Sequence, residues 1–237
     1  MGASMTSTKE LEREFQTLNN PSTDPEAQHT FAQRLLDSDE PAVVRFHYEL
    51  LRHRANDLFL AIVRDAFSQR GAAGEKFLLQ MLEQEKSPEM LADVILILGL
   101  MKSSAAREYS LRMLRSPQEE VRHVATFVLG WVGTLDDLEK LEQQLLEDPV
   151  PKIRGDAATA YYQVFNRIPE SREQAVQSLS RGLSQERDED VLASILISLQ
   201  DILSKRFGMR EDIEEGEITG DVAKAKEKAL KFLKRNS

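Results

Sequence analysis

Apolar residues along this chain recur at intervals of three and four, as in Val121, Val124, Ala125, Val128, Leu129 and Val132, and no segment sustains an alternation of two. That spacing predicts helices throughout and no strand. Prolines sit where helices would begin: Pro25 after Asp24, Pro41 after Glu40, Pro88 after Ser87, Pro117 after Ser116, and Pro151. Ser116 with Glu119, Ser171 with Gln174, and Ser7 with Glu10 have the spacing of capping boxes. The pattern predicts helices near 8–19, 25–37, 41–54, 57–69, 73–85, 88–102, 104–115, 117–132, 135–147, 150–167, 170–184, 188–206 and 221–235. The loops between them are short, so consecutive helices must pack as antiparallel hairpins. The expected fold class is all-α.

Five segments superpose: LLDSDEPAVVRFHYELL from Leu35, MLEQEKSPEMLADVILIL from Met81, MLRSPQEEVRHVATFVLG from Met113, LLEDPVPKIRGDAATAYY from Leu145 and GLSQERDEDVLASILISL from Gly182. Each reads as an apolar helix end, a polar or acidic turn and a new apolar helix. The anchor falls at Arg45, Leu91, Arg122, Arg154 and Leu192, spaced by 46, 31, 32 and 38 residues. Six residues before it stand Asp39, Glu85, Ser116, Asp148 and Glu186. Periods of this size mean a solenoid, here of five to six hairpins. The 46-residue gap implies an extra helix near 57–69. The inner helices are expected to be those starting at Pro41, Pro88, Pro117, Pro151 and Asp188.

Two stretches, EEVRHVATFVLGWVG and LLEDPVPKIRGDAA, resemble the HEAT and HEAT-like (PBS lyase-type) repeat family, over roughly residues 25–206. The second helix in that family typically opens with a turn acid, then Val-Arg, then a small residue, matched here by Ala125 and Ala157. The resemblance implies a right-handed superhelix, and ladders in which turn acids and arginines link adjacent repeats. Asp39 with Arg45, and Asp148 with Arg154, carry both parts; Arg122 carries the basic part. Leu91 and Leu192 would break the ladder.

Composition narrows the chemistry. The 237 residues, 41% hydrophobic, suffice for a large core; 31 Lys and Arg against 40 Asp and Glu give a net charge of −9. That balance disfavours binding to duplex phosphates. The absence of cysteine excludes disulfides, thiolate metal sites and thiol nucleophiles. No apolar run is long enough for a membrane span and no signal core is evident, so a soluble cytoplasmic protein is expected. Residues 1–4 precede a second methionine, Met5, and are expected to be a cloning remnant, although Gly2 and Thr6 fit the myristoylation spacing. His29, His47, His53 and His123 show no HExxH or two-histidine helical face, and Gly71-Ala72-Ala73-Gly74 lacks the features of a phosphate loop. No metal, cofactor, small-molecule substrate or catalytic constellation is expected, and the chain reads as a non-enzyme.

Partner recognition is the remaining expectation. On the helix after Pro117, His123, Phe127 and Trp131 step by four on the side away from the core. In the repeat register Phe127 corresponds to Leu50, Leu96, Thr159 and Ile197, and Trp131 to Arg54, Leu100, Gln163 and Asp201. Leu96, Leu100, His123, Phe127, Trp131 and Tyr162 are the expected contacts for a protein or peptide on the concave surface, with Tyr161 facing the core. The roles this allows are adaptor, assembly factor or inhibitor, including an immunity protein against a basic toxin domain. The resemblance also admits a bilin lyase-like subunit, whereas the charge and the single tryptophan speak against a repair glycosylase. After the solenoid of residues 5–207, the segment 208–220 reads as an acidic solvated loop. Residues 221–237 read as a basic amphipathic helix that caps the last repeat, with membrane docking the less favoured reading.

Overall fold

The computed structural model describes residues 8–212 and 217–236. Residues 1–4, the Gly2 and Thr6 pattern and the Ser7 capping box lie outside them. The described chain is helical nearly throughout and divides into two compact units, one ending at Ser103 and the other starting at Ser104. The first holds α1 (Thr8–Leu18), α2 (Pro25–Leu36), α3 (Pro41–Leu50), α4 (Asp57–Ser68), α5 (Gly71–Leu82) and α6 (Pro88–Leu100). The second holds α7 (Ser104–Met113), α8 (Glu119–Val132), α9 (Leu138–Glu147), α10 (Pro151–Arg167), α11 (Arg172–Gln185), α12 (Glu189–Leu203) and α13 (Val222–Asn236).

Within the first unit α1 packs on α2, α3 on α4 and α5 on α6, while α4 touches both α2 and α6. The second unit repeats this arrangement: α7 with α8, α9 with α10 and α11 with α12 form hairpins, and α10 lies between α8 and α12. The second helices of the six hairpins therefore start at Pro25, Asp57, Pro88, Glu119, Pro151 and Glu189, at intervals of 32, 31, 31, 32 and 38 residues. This corrects the register read from Pro41. That proline opens α3, the first helix of its hairpin, and the row helix is α4, which has no proline and is capped by Asn56 accepting from the Phe59 amide. A proline at the first turn suits any helix and carries no information about its place in a hairpin.

The two units fill their cores differently. Phe15, Phe31 and Phe59 meet with centroids 5.4–6.2 Å apart in the first unit, and Tyr48 and Phe67 both contact Phe77. In the second, α10 buries Ala157, Ala158 and Ala160, so neighbouring helices approach it closely on both sides. A Cβ on Gly130 of α8 would lie 3.0 Å from the Ala160 Cα.

Arginines stitch the layers. Arg122 makes a two-pronged contact with Asp148 at 2.8 and 3.2 Å, and Arg154 makes the same contact with Glu186 at 2.7 and 3.2 Å. Each guanidinium also donates to a carbonyl of its own turn, Ser116 and Asp148 respectively. The ladder thus joins each arginine to the acid of the next turn, so Asp148 serves Arg122 rather than Arg154. Burial alone would raise the pKa of Glu186, but hydrogen bonds from Arg154 and from the Asp188 and Arg187 amides hold it near 2. The expected Asp39–Arg45 rung is absent: Arg45 lies over the Phe77 ring at 5.7 Å, and exposed Asp39 faces Arg70 at 3.7 Å. The turn acid of the α5–α6 hairpin, Glu85, instead accepts from Tyr48 (2.7 Å) and Arg52 (2.6 Å).

Arg70 carries a second kind of stitch. Its buried side chain donates to the Leu35 and Ser38 carbonyls at the end of α2, and its Nε donates to His47 Nδ1 at 3.0 Å. His47 is sealed, and its Nε2 lies 3.0 Å from the Val63 carbonyl. These partners fix the neutral tautomer with the proton on Nε2. Burial and the neighbouring Arg70 lower the His47 pKa from 6.5 to about 3.

Local chemistry differs from the sequence expectation at three further places. α8 starts at Glu119, two residues after Pro117, and neither the Ser116 box nor the Ser171 box forms. A box does close between Thr134 and Asp137, whose carboxylate also pairs with Arg107. Where a loop without strands was expected, β1 (Arg210–Asp212) pairs antiparallel with β2 (Glu217–Thr219). Strands of three residues, mostly exposed and polar, are too short to show an alternation.

Two measurements test this framework. Arg154→Ala is expected to lower the unfolding free energy by about 2 kcal/mol in urea titration, because it leaves half-sheltered Glu186 without its cation, and Arg45→Ala by less than about 0.5 kcal/mol. The unfolded chain protonates His47 near pH 6.5 while the folded chain resists until about 3, so stability falls as pH drops through that window. By pH 5 this loss amounts to about 2 kcal/mol, and His47→Gln, which can keep both hydrogen bonds, should flatten the decline between pH 7 and 5. An unchanged slope would assign the acid sensitivity elsewhere.

Candidate functional site

The row of α8, α10 and α12 presents one continuous side of the second unit, and the expected residues of that unit lie on it. His123, Phe127 and Trp131 recur every fourth residue along α8, outside its buried positions Val121, Val124, Ala125, Val128 and Leu129. All three are half-buried. Phe127 and Trp131 meet edge to face, with centroids 4.7 Å apart at 63°, a favoured arrangement for two rings. His123 Nδ1 lies 2.5 Å from Asp156 Oδ2, tying α8 to α10. On α10, Tyr161 is sealed and donates to the Leu138 carbonyl at 2.7 Å; burial pushes its pKa up. The next residue, Tyr162, is half-buried. On α12, Ile197 is half-buried as well.

Backbone contacts hold this side of the unit rigid near the tryptophan. Arg167, the last residue of α10, donates to the carbonyls of Gly130 (3.0 Å) and Gly133 (2.7 Å) at the end of α8. Gln163 reaches over Gly130 so closely that an added Cβ would sit 1.9 Å from its Oε1. The aromatic pair therefore stands on a helix end whose carbonyls are satisfied by its neighbour.

The charge along the row is uneven. Glu119 and Glu120 are exposed at the start of α8, and Asp156, Asp188 and Asp190 line a shallow groove between α10 and α12 with Lys152 as the cation. Asp188 is already engaged, accepting from the Asp190 and Val191 amides as the cap of α12. Among the described residues, no three His, Asp or Glu side chains gather in a metal-holding arrangement. The row offers rings, an imidazole held by a carboxylate, one apolar side chain and an acidic margin. These are the materials of a contact surface.

The remaining expected contacts, Leu96 and Leu100, belong to the first unit. On α6, Leu96 is half-buried and Leu100 is 40% exposed. Sequence reasoning missed Leu58, on the first turn of α4, which is 72% exposed. The corrected register carries its signal, because the equivalent positions on α6 and α8 are the acids Glu89 and Glu120. A leucine where the other second helices carry a charge, Lys152 on α10 included, departs from the pattern, and anchoring the first repeat at Pro41 concealed it.

Residues 75–161, from α5 into α10, match the family model of HEAT repeats, so this stretch of the chain is built of HEAT repeats. No curated protein matches the chain. Among solved structures it is similar to the complex of CpcE and CpcF of phycocyanin lyase from Nostoc sp. PCC7120, at 16% identity over 98% of this chain and 97% of that chain, with a TM-score of 0.42. No helix among the described residues is long and apolar enough to cross a membrane.

The close approach of α8 and α10 gives a direct test. Gly130→Ala must displace Gln163 and press on Ala160, and is expected to lower the unfolding free energy by about 1–3 kcal/mol in denaturant titration. Gly71→Ala is not an adequate control because Gly71 has φ +59°, so Ala73→Gly on the exposed side of α5 serves instead, with an expected change of about 1 kcal/mol or less.

Proposed function

We propose that the protein is a non-enzymatic interaction module that binds a protein or peptide on the row formed by α8, α10 and α12. The observation that carries this reading is the Phe127–Trp131 pair, which stays half-buried on the side of α8 away from its core although the core around it is closed. A large ring left partly in water gains free energy when a partner covers it, and aromatic anchors dominate contact energies where they are used. His123 with Asp156 on α8 and α10, and half-buried Tyr162 further along α10, supply polar groups to the same row. HEAT repeats supply a rigid scaffold for such a surface. Adaptor, assembly factor and inhibitor are the roles a rigid non-catalytic surface of this kind can fill.

The acidic margin of the row favours a partner with a basic surface, as in the neutralisation of a basic toxin domain. Charge of this sign would speed association and make it salt-sensitive.

A partner isolated from the native source and identified by mass spectrometry allows the site to be tested by titration calorimetry. Trp131→Ala, with its fold verified by circular dichroism, is expected to weaken that partner by about tenfold or more. Unchanged affinity overturns the assignment of the α8 row. Loss of the salt dependence in Asp156→Asn with Asp190→Asn would place the basic surface of the partner beside α12.

A further inference from the structure

A second surface, on the opposite side of the last hairpin, is independent of the α8 row. α13 packs on α11 and α12 through Ala225 and Ala229, which are fully buried. Lys226 reaches the Glu186 carbonyl at 2.9 Å, Lys228 the Phe207 carbonyl at 3.3 Å, and the Phe232 ring meets Phe207 at 5.8 Å. Docked in this way, α13 turns Lys224, Lys231, Lys234 and Arg235 to solvent, with Glu227 as the acid among them. None of these four cations is in an ion pair among the described residues, in a chain whose net charge is −9.

Between α11 and α13 runs an open groove of about 1050 Å³. Val176, Leu203, Phe232 and Leu233 give it an apolar lining, and Arg172, Glu173 and Arg181 stand along its α11 side. Arg181 is neutralised by Glu142 at 2.7 Å, which leaves Arg172 as the α11 cation outside an ion pair among the described residues. The α11 residues that line the groove run from Arg172 to Gln185, which is about 20 Å of helix. Lys231, Lys234 and Arg235 neighbour Phe232 and Leu233 in sequence, at exposed positions of α13.

We infer that this groove docks an acidic amphipathic helix of a partner protein. Its apolar side lies on Val176, Leu203, Phe232 and Leu233, and its carboxylates face Arg172 and the cations at the end of α13. The lining calls for apolar anchors every third or fourth residue, which a polyphosphate backbone lacks, and the exposed cations at the end of α13 favour an acidic helix over a basic one. A groove set between two helices also suits an inserted helix better than a flat lipid surface.

The test measures fluorescence anisotropy of labelled synthetic helical peptides with the full chain. An amphipathic peptide with Leu at helical spacing and Glu elsewhere is expected to bind. The same peptide with Lys for Glu, or with Ser for Leu, should bind about tenfold more weakly or not at all. Lys231→Glu with Lys234→Glu and Arg235→Glu, all at exposed positions, should weaken the acidic peptide about tenfold, and Val176→Asp should do so from the α11 side. Affinity should also fall as salt rises. Trp131→Ala should leave this binding unchanged, which separates it from the α8 row. The inference is overturned if the acidic peptide does not bind, if the Lys peptide binds equally well, or if the charge-reversed chain keeps its affinity. Tighter binding of phosphatidylserine vesicles or of a single-stranded oligonucleotide, in competition with the peptide, overturns it as well.

Discussion

A single helical hairpin cannot cover both of its apolar sides, and the rest of this structure depends on how the next hairpin covers the second one. The intervals of 31 or 32 residues between the second helices of successive hairpins, lengthening to 38 before α12, record that constraint. Within the second unit the turn of one hairpin lies against the turn of the next. That alignment is what lets Arg122 meet Asp148 and Arg154 meet Glu186. The ion pairs result from the stacking and fix its register; burial of the helix sides supplies most of the stability.

Helix existence and limits were legible almost everywhere, because a period of 3.6 survives in every segment and prolines and glycines mark the breaks. The hairpin register was less legible at the start of the chain. Pro41 and the string Asp39 to Arg45 imitate the turn of a second helix, whereas α4, the true row helix, opens without proline. Capping was misread for a similar reason: Ser116 and Ser171 have the right spacing, but tertiary contacts start α8 two residues later and bury the Ser171 hydroxyl. The short hairpin of β1 and β2 left no periodic trace at all.

The candidate surface was legible in part. Residues at intervals of four on α8 could be placed away from the core by the helical period alone, and all of them are half-buried. What spacing could not supply was the partner each side chain finds in three dimensions. His123 meets Asp156 across 33 residues, and Gln163 covers Gly130 across the same distance. Nor could spacing supply the backbone carbonyls that Lys226 and Lys228 of α13 reach. Leu58 escaped notice because its departure from the charged pattern is visible only in the corrected register.

The stitches by Arg70 and Arg167 differ from the ladder in one respect with evolutionary weight. Apart from the bond of Arg70 to His47, their acceptors are peptide carbonyls at the ends of α2 and α8, which every amino acid supplies. Drift in the receiving turn therefore cannot remove the acceptor, and all the mutational vulnerability is concentrated in the donor. A ladder rung can fail through either of two codons, but one of these stitches fails through a single codon, so they are the joints that tolerate divergence best in the segments they hold.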